Sequence, residues 1–408
     1  MALPGLFVGS RCGPRNAFSP VPCRDIAMHR GEMPMRRLSI AALIAVALNL
    51  PTPAAAQRAG ELIAAEPMAE TPAGVQAWQI RYWTSGQGGV PIAVTGVVAA
   101  PMEAIPPRPR RVIAWTHGAW GVAEKCAPSL SPNFFGATAG IDAVSHGYVV
   151  VAPDYIGLGS PTMHPFLVGA DTAQAVLDGV RAARAIPGAA AGSDFAVWGE
   201  SQGGHAALWT ATLARSYAPD LTLIATAAAA PPTDLAANLR EASDKNARAL
   251  LLSFALHSWS TLYGFSMDGV ANRANQGVIH RLAENNCVSL DKKPKLGTIL
   301  GILTIARATR GKDIDRIEPF GSFARANSVD ATRVPGPLLI AQSRNDTIVA
   351  PSVTRKFAKA VCRRGTGVRW IDMTGDHGTS AKESAQETIG WIGERFDGSL
   401  APNDCRRV

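Results

Sequence analysis

Phe195-Ala196-Val197-Trp198-Gly199-Glu200-Ser201-Gln202-Gly203-Gly204-His205 is an apolar run ending in one serine between small residues. A helix-compatible run, Ala206-Ala207-Leu208-Trp209, follows it. G-x-S-x-G between a strand and a helix is the pattern of a nucleophile elbow. The reason is steric. The turn is sharp, and its serine takes sparsely populated dihedrals. Gly199 and Gly203 carry no Cβ, so strand and helix approach without collision. The hydroxyl then projects from the turn, and the Gln202 N–H is aimed at a developing oxyanion. Five residues can match by chance, so partners elsewhere in the chain must decide.

An acid and then a histidine should follow such a serine in chain order. The stretch 337–351 runs from an apolar strand into a polar loop carrying Asp346, after which Ile348 and Val349 return to the core. That loop can hold a fixed carboxylate. Asn345 is the neighbouring rival, but it cannot carry the charge that stabilises an imidazolium. Another strand, near 368–373, ends in a glycine-flanked loop with His377, before a helix expected over 380–395. His377 is the candidate general base, taking the proton of Ser201 and returning it to the leaving group. The other histidines read as structural. His205 lies in the helix after the serine; His146, His164, His257 and His280 read as packing or cap residues.

The second oxyanion donor should come from the loop after the third strand. Val112-Ile113-Ala114-Trp115-Thr116 leads into His117-Gly118-Ala119-Trp120-Gly121. The N–H of Ala119 or Trp120 is the candidate, with His117 shaping the loop. Tyr148 to Pro153 reads as a buried parallel strand. Gly157 and Gly159 beyond it lack the third glycine of a dinucleotide fingerprint, and Pro161 stops any helix there. Asp154 reads as a residue that fixes this loop.

Assembled, these pieces resemble the α/β-hydrolase superfamily, and within it secretory lipases of the fungal lipase A type and their bacterial relatives. The matching segments are T-H-G at 116–118, A-P-D-Y-x-G-L-G at 152–159, G-E-S-Q-G-G at 199–204, D-T-I-V-A-P at 346–351 and G-D-H at 375–377. The resemblance implies an α/β-hydrolase fold and esterase or lipase activity without a cofactor.

The chain has 408 residues and 47% hydrophobic composition. That can bury one large core, or a core and a cap. Six arginines against two acids in residues 1–56 account for half of the net charge of +8. No basic stripe interleaved with aromatics is present, which argues against nucleic-acid binding. Met35-Arg36-Arg37, an apolar run over 38–48 and Ala54-Ala55-Ala56 predict a signal peptide over 35–56 for the general secretory route. Residues 1–32 before it read as an over-extended start, with translation beginning at Met33 or Met35. The protein is expected to be exported, periplasmic or secreted.

Export permits disulfides. Cys126, Cys287, Cys362 and Cys405 remain beyond the leader and allow three pairings. Cys362 with Cys405 would pin the tail, and Cys126 with Cys287 would tie the oxyanion loop to the later insertion. Reduced buried thiols are the alternative. No cysteine spacing or H-E-x-x-H helix marks a metal, so none is assigned.

Strands at 75–83, 92–99 and 112–116 are followed by alternating helical and apolar stretches at 137–146, 170–185 and 203–216. This predicts a mainly parallel sheet with helices on both faces, its ligand at the carboxyl ends of the strands. Residues 231–334 interrupt the alternation and read as an inserted helical cap, between core parts at 57–230 and 335–408. Leu251, Leu252, Phe254, Trp259, Leu262, Tyr263 and Phe265 there could wall an acyl site, or simply form the cap's own core. The expected function is cleavage of carboxylic esters through Ser201, Asp346 and His377, on a small-molecule or lipid ester, with transient contact with lipid surfaces. Oligomeric state stays open. Two rivals remain: a serine peptidase of the same superfamily, without the propeller of prolyl-oligopeptidase types, and a non-catalytic binding protein on this fold.

Overall fold

A computed structural model describes residues 57–288 and 294–408. The expected leader and signal peptide lie outside them. Nine strands form one sheet: β1 (Leu62–Pro67), β2 (Val75–Ser85), β3 (Pro91–Pro101), β4 (Arg110–Thr116), β5 (Val149–Pro153), β6 (Ala191–Glu200), β7 (Thr222–Ala229), β8 (Leu338–Ser343) and β9 (Val368–Met373). Their spatial order is β1-β2-β3-β5-β4-β6-β7-β8-β9. The first three strands and the β3–β5 pair are antiparallel. From β5 to β9 every neighbour is parallel. The sheet is therefore mainly parallel, as the alternation predicts. β1 goes beyond that expectation; its short Leu-Ile-Ala-Ala-Glu-Pro run has little alternation to read.

The period of two sorts the core into two layers. Val112, Ala114, Phe195 and Val197 face α2 (Gly169–Ala183) and α3 (Gln202–Tyr217), which follow α1 (Phe134–Ala137) in the chain. Ile113, Trp115, Ala196 and Trp198 face the other way, onto Ile389, Trp391 and Ile392.

Between β7 and β8 run α4 (Leu235–Glu241), α5 (Lys245–Tyr263), α6 (Arg273–Asn285), α7 (Leu296–Ala308) and α8 (Phe320–Ala326). Their starts are encoded locally. Asp234 accepts from the Ala237 N–H, Asp244 from those of Asn246 and Ala247, and Asn272 from that of Asn275. Each satisfies helix donors that have no intrahelical partner. Phe254, Leu256, Trp259, Ile279, Leu282 and Ile305 form a separate apolar cluster there.

The chain ends through α9 (Pro351–Arg363), α10 (Ser380–Glu383) and α11 (Ala385–Phe396). A single helix over 380–395 is thus not formed. It breaks at Ser384, whose hydroxyl bonds back to the Ser380 carbonyl at 2.8 Å and competes with the backbone ladder. The cysteines are joined as Cys126–Cys287 and Cys362–Cys405. No helix among the described residues is long and apolar enough to cross a membrane.

Candidate active site

Ser201 lies between β6 and α3 at φ 52°, ψ −121°, a left-handed φ that a side chain rarely adopts. The surroundings over-determine it. Its N–H bonds the Ala229 carbonyl at 2.9 Å. A Cβ on Gly199 would collide with the Thr116 hydroxyl and the Gly203 carbonyl, and one on Gly203 with the carbonyls of Thr116 and His117. The Thr116 hydroxyl donates to the Gly203 carbonyl at 2.8 Å, which ties the 116–120 loop to the turn.

Asp346 and His377 follow β8 and β9, two strand ends at the same edge as Ser201. His377 Nδ1 lies 2.8 Å from Asp346 Oδ2, and His377 Nε2 lies 2.8 Å from Ser201 Oγ. A carboxylate only accepts, so Nδ1 carries the proton and Nε2 accepts from the serine hydroxyl. Asp346 is buried and held on its other oxygen by the N–H groups of Ile348 (2.9 Å) and Val349 (2.8 Å). Gln342 Nε2 also donates to Oδ2, at 3.2 Å. Asn345 turns away and donates to the Thr374 carbonyl at 2.7 Å.

Of the three oxyanion candidates, Gln202 and Ala119 line the cavity that holds Ser201. Trp120 lines a smaller hollow with His117 and Glu200. Below the loop, Asp154 is buried and accepts from Thr95 Oγ1 (2.7 Å), Ser129 Oγ (2.6 Å) and the Ser129 N–H (2.9 Å). It is a loop anchor. His117 stacks on Tyr155, whose hydroxyl donates to the His117 carbonyl at 3.0 Å. Burial pushes His117, His164 and His205 down to about 4, so all three are neutral near pH 7. His205 Nε2 donates to the Asn327 carbonyl at 2.7 Å.

Two features escaped the sequence reading. His164 Nδ1 donates to the Ile156 carbonyl (2.7 Å), which leaves Nε2 to accept from the Gln202 amide at 3.1 Å. A loop histidine thus steadies the residue after the serine. Glu200 is half-buried, and desolvation raises its carboxyl to about 7, against the pull of His377 and Lys382. Only their three-dimensional neighbours mark these residues.

The Ser201 cavity encloses about 90 Å³. Leu235, Leu239, Leu251, Leu252, Trp259 and Phe320 give it an apolar wall, with Arg248 at one side. Of the seven apolar residues singled out in this segment, Leu251, Leu252 and Trp259 reach the cavity. Phe254 is interior, against Phe166, and Tyr263 and Phe265 stack on Phe323. Leu262 packs on the same cluster.

The secretory lipase family model matches residues 138–404, well over half of the chain. The chain belongs to the secretory lipase family. Among curated relatives of this secretory lipase, Lipase 5 of Candida albicans is 26% identical over 361 residues, covering 83% of this chain and 76% of that one. The solved closed state of Candida antarctica lipase A superposes with a TM-score of 0.69 at 19% identity, over 85% and 84% of the two chains. A rice cell wall degrading esterase from Xanthomonas oryzae gives 0.66 at 20% identity, over 84% of this chain and all of the other. The fold of this secretory lipase is the α/β-hydrolase fold, and the protein is a carboxylic ester hydrolase.

Proposed function

We propose that this is an exported serine esterase or lipase in which Ser201 is the nucleophile, His377 the general acid–base and Asp346 its orienting carboxylate. The observation that carries the reading is the unbroken chain of contacts from Ser201 Oγ through His377 to Asp346, at 2.8 Å and 2.8 Å, opening onto an apolar cavity. Ser201 Oγ gives its proton to His377 Nε2 and bonds the acyl carbon. The carbonyl oxygen takes the negative charge, held by the N–H groups of Gln202 and Ala119. Collapse expels the alcohol, which takes the proton from His377. Water, deprotonated by His377, then attacks the acyl-enzyme and frees Ser201. Loss of one oxyanion donor costs about 2.7–4 kcal/mol of barrier. Labelling by a fluorophosphonate tests the nucleophile, and faster turnover of p-nitrophenyl esters than of aminoacyl-proline anilides separates this reading from a peptidase.

Residues 231–334 act in this account as a cap over core parts at 57–230 and 335–408. A cavity of about 90 Å³ is small beside ordinary ligand pockets of roughly 300–1,000 Å³. A long acyl chain therefore needs the cap wall to move. The two disulfides, the family and the signal-like pattern at 35–56 support export.

A second observation favours work at a lipid surface. Leu296, Ile299, Leu300 and Leu303 repeat at one-turn spacing on α7, yet are 71%, 41%, 55% and 50% exposed. Lys125, Arg281 and Lys295 line a hollow that shares Leu300 with this stripe. Lys245, Arg248, Arg307 and Arg310 line another, which shares Leu303. Among the described residues no acid lines either hollow. An apolar helix face between two cationic hollows suits an interface bearing anionic headgroups or fatty-acid carboxylates. Arg248 borders both the Ser201 cavity and the second hollow, which suits passage of a carboxylate product.

A further inference from the structure

Three side chains that ester cleavage does not use meet where α5 packs on α6. His257 on α5 is buried, His280 on α6 is half-buried, and Glu284 is exposed one turn further along α6. The Nδ1 atoms of His257 and His280 lie 2.8 Å apart, and one ligand atom from each of the three residues lies within 4.8 Å of the others. The two rings cross at 76°, so they meet through ring edges and not through stacked faces. Residues four apart on a helix share a face, so His280 and Glu284 project together while His257 closes the triangle from the neighbouring helix. Among the described residues the Glu284 carboxylate is in no hydrogen bond or ion pair. The sequence reading missed this group because 23 residues separate the two histidines.

We propose that His257 Nδ1, His280 Nδ1 and one Glu284 carboxylate oxygen bind a divalent d-block cation, with Zn²⁺ the type case. Two imidazoles and a carboxylate suit such an ion better than Ca²⁺ or Mg²⁺, which select all-oxygen sites. Tetrahedral bonds of roughly 2.0–2.2 Å would set the ligand atoms about 3.4 Å apart, so the histidine pair opens slightly and the exposed Glu284 side chain swings inward. The imidazole that donates in the metal-free pair must move its proton from Nδ1 to Nε2, after which both Nδ1 lone pairs face the ion. Three protein ligands leave one position for water. The ion clips α5 to α6. α5 also carries Arg248, Leu251, Leu252, Ala255 and Trp259 to the Ser201 cavity, and α6 leads directly to disulfide-bonded Cys287. Its effect is thus to steady the wall of that cavity, with no part in bond cleavage.

The test uses the full untagged mature protein, stripped with a chelator and dialysed, then titrated with ZnCl₂ by calorimetry and with CoCl₂ by visible absorption. One ion per chain is expected, with the intense visible bands of low-coordinate Co²⁺. At a hundredfold excess of Zn²⁺ over Kd, Tm should rise by about 4 °C for a chain of this size. His280→Ala and Glu284→Gln, at half-buried and exposed positions, should each weaken Zn²⁺ binding at least about tenfold, since even outer-shell partners matter that much. Both variants should keep their hydrolysis of a short soluble ester before heating, and His146→Ala should bind as the wild type does. Ser201→Ala should bind Zn²⁺ with unchanged Kd, so the site stands apart from the proposed nucleophile. No saturable uptake with Kd below about 100 μM, or unchanged uptake in the His280→Ala/Glu284→Gln double variant, would overturn the proposal.

Discussion

At the serine turn a Cβ on Gly199 or Gly203 has nowhere to go, whereas in α6 one on Gly277 meets only an ordinary contact with Arg281 at 3.5 Å, and in α7 one on Gly297 meets open space. The contrast extends to the side chains. At the strand ends two buried carboxylates are committed: Asp346 accepts four hydrogen bonds, Asp154 three. On α7, four large apolar side chains face solvent. The turn holds a strained backbone fixed by its surroundings, whereas α7 leaves an apolar face in solvent.

Substitutions can break or sharpen that contrast. The largest effect is expected at the turn. Ser201→Ala should cut kcat for ester hydrolysis by at least about 10⁴-fold, with Tm unchanged, because only the proposed nucleophile's hydroxyl is lost. Next, Gly203→Ala should destabilise by about 3 kcal/mol, since backbone at 116–117 must shift. Gly277→Ala, the same change in α6, should instead stabilise by about 0.5–1 kcal/mol. Urea midpoints of the pair check the opposite signs. On α7, Leu300→Ser with Leu303→Ser should lower activity on anionic lipid emulsions about tenfold while sparing a short soluble ester. Equal losses on both substrates would remove the interfacial role.

A last effect is in pH dependence. Glu200 is raised to about 7 by burial, so it stays protonated in the folded chain where the unfolded chain has already ionised. It supports the fold fully below pH about 4.5 and loses that support as pH rises to about 7. The stability of Glu200→Gln minus that of the wild type should therefore grow across that window, read from urea midpoints at each pH. The buried His117, His164 and His205 act with the opposite sign. Being depressed to about 4, they hold stability above pH about 6.5 that fades as pH falls toward 4. They are common to both proteins and cancel in the difference.

What the sequence discloses follows from how far each feature reaches along the chain. Ser201, Asp346 and His377 each sit in a short strand-to-loop pattern with its own signature, and the parallel sheet shows in the alternation of apolar runs. β1 is faint because its six residues scarcely alternate. The break at Ser384 depends on one hydroxyl choosing the backbone. Gln202 and His164, 38 residues apart, meet only through the fold. So do the walls of the cavity, where Phe166 from the loop before α2 joins Phe320 from α8. The stripe on α7 escaped the sequence reading altogether: its apolar residues stand at helical spacing yet face outward. Local motifs announce chemistry, whereas specificity resides in contacts between distant segments.

The most direct measurement is mass-spectrometric mapping of the adduct formed by a fluorophosphonate probe on the folded, active protein. One adduct per chain is expected, on the peptide bearing Ser201, with labelling slowed by orders of magnitude in His377→Ala. An adduct on a different serine, or full ester hydrolysis by protein whose Ser201 is unlabelled under saturating probe, would contradict the account.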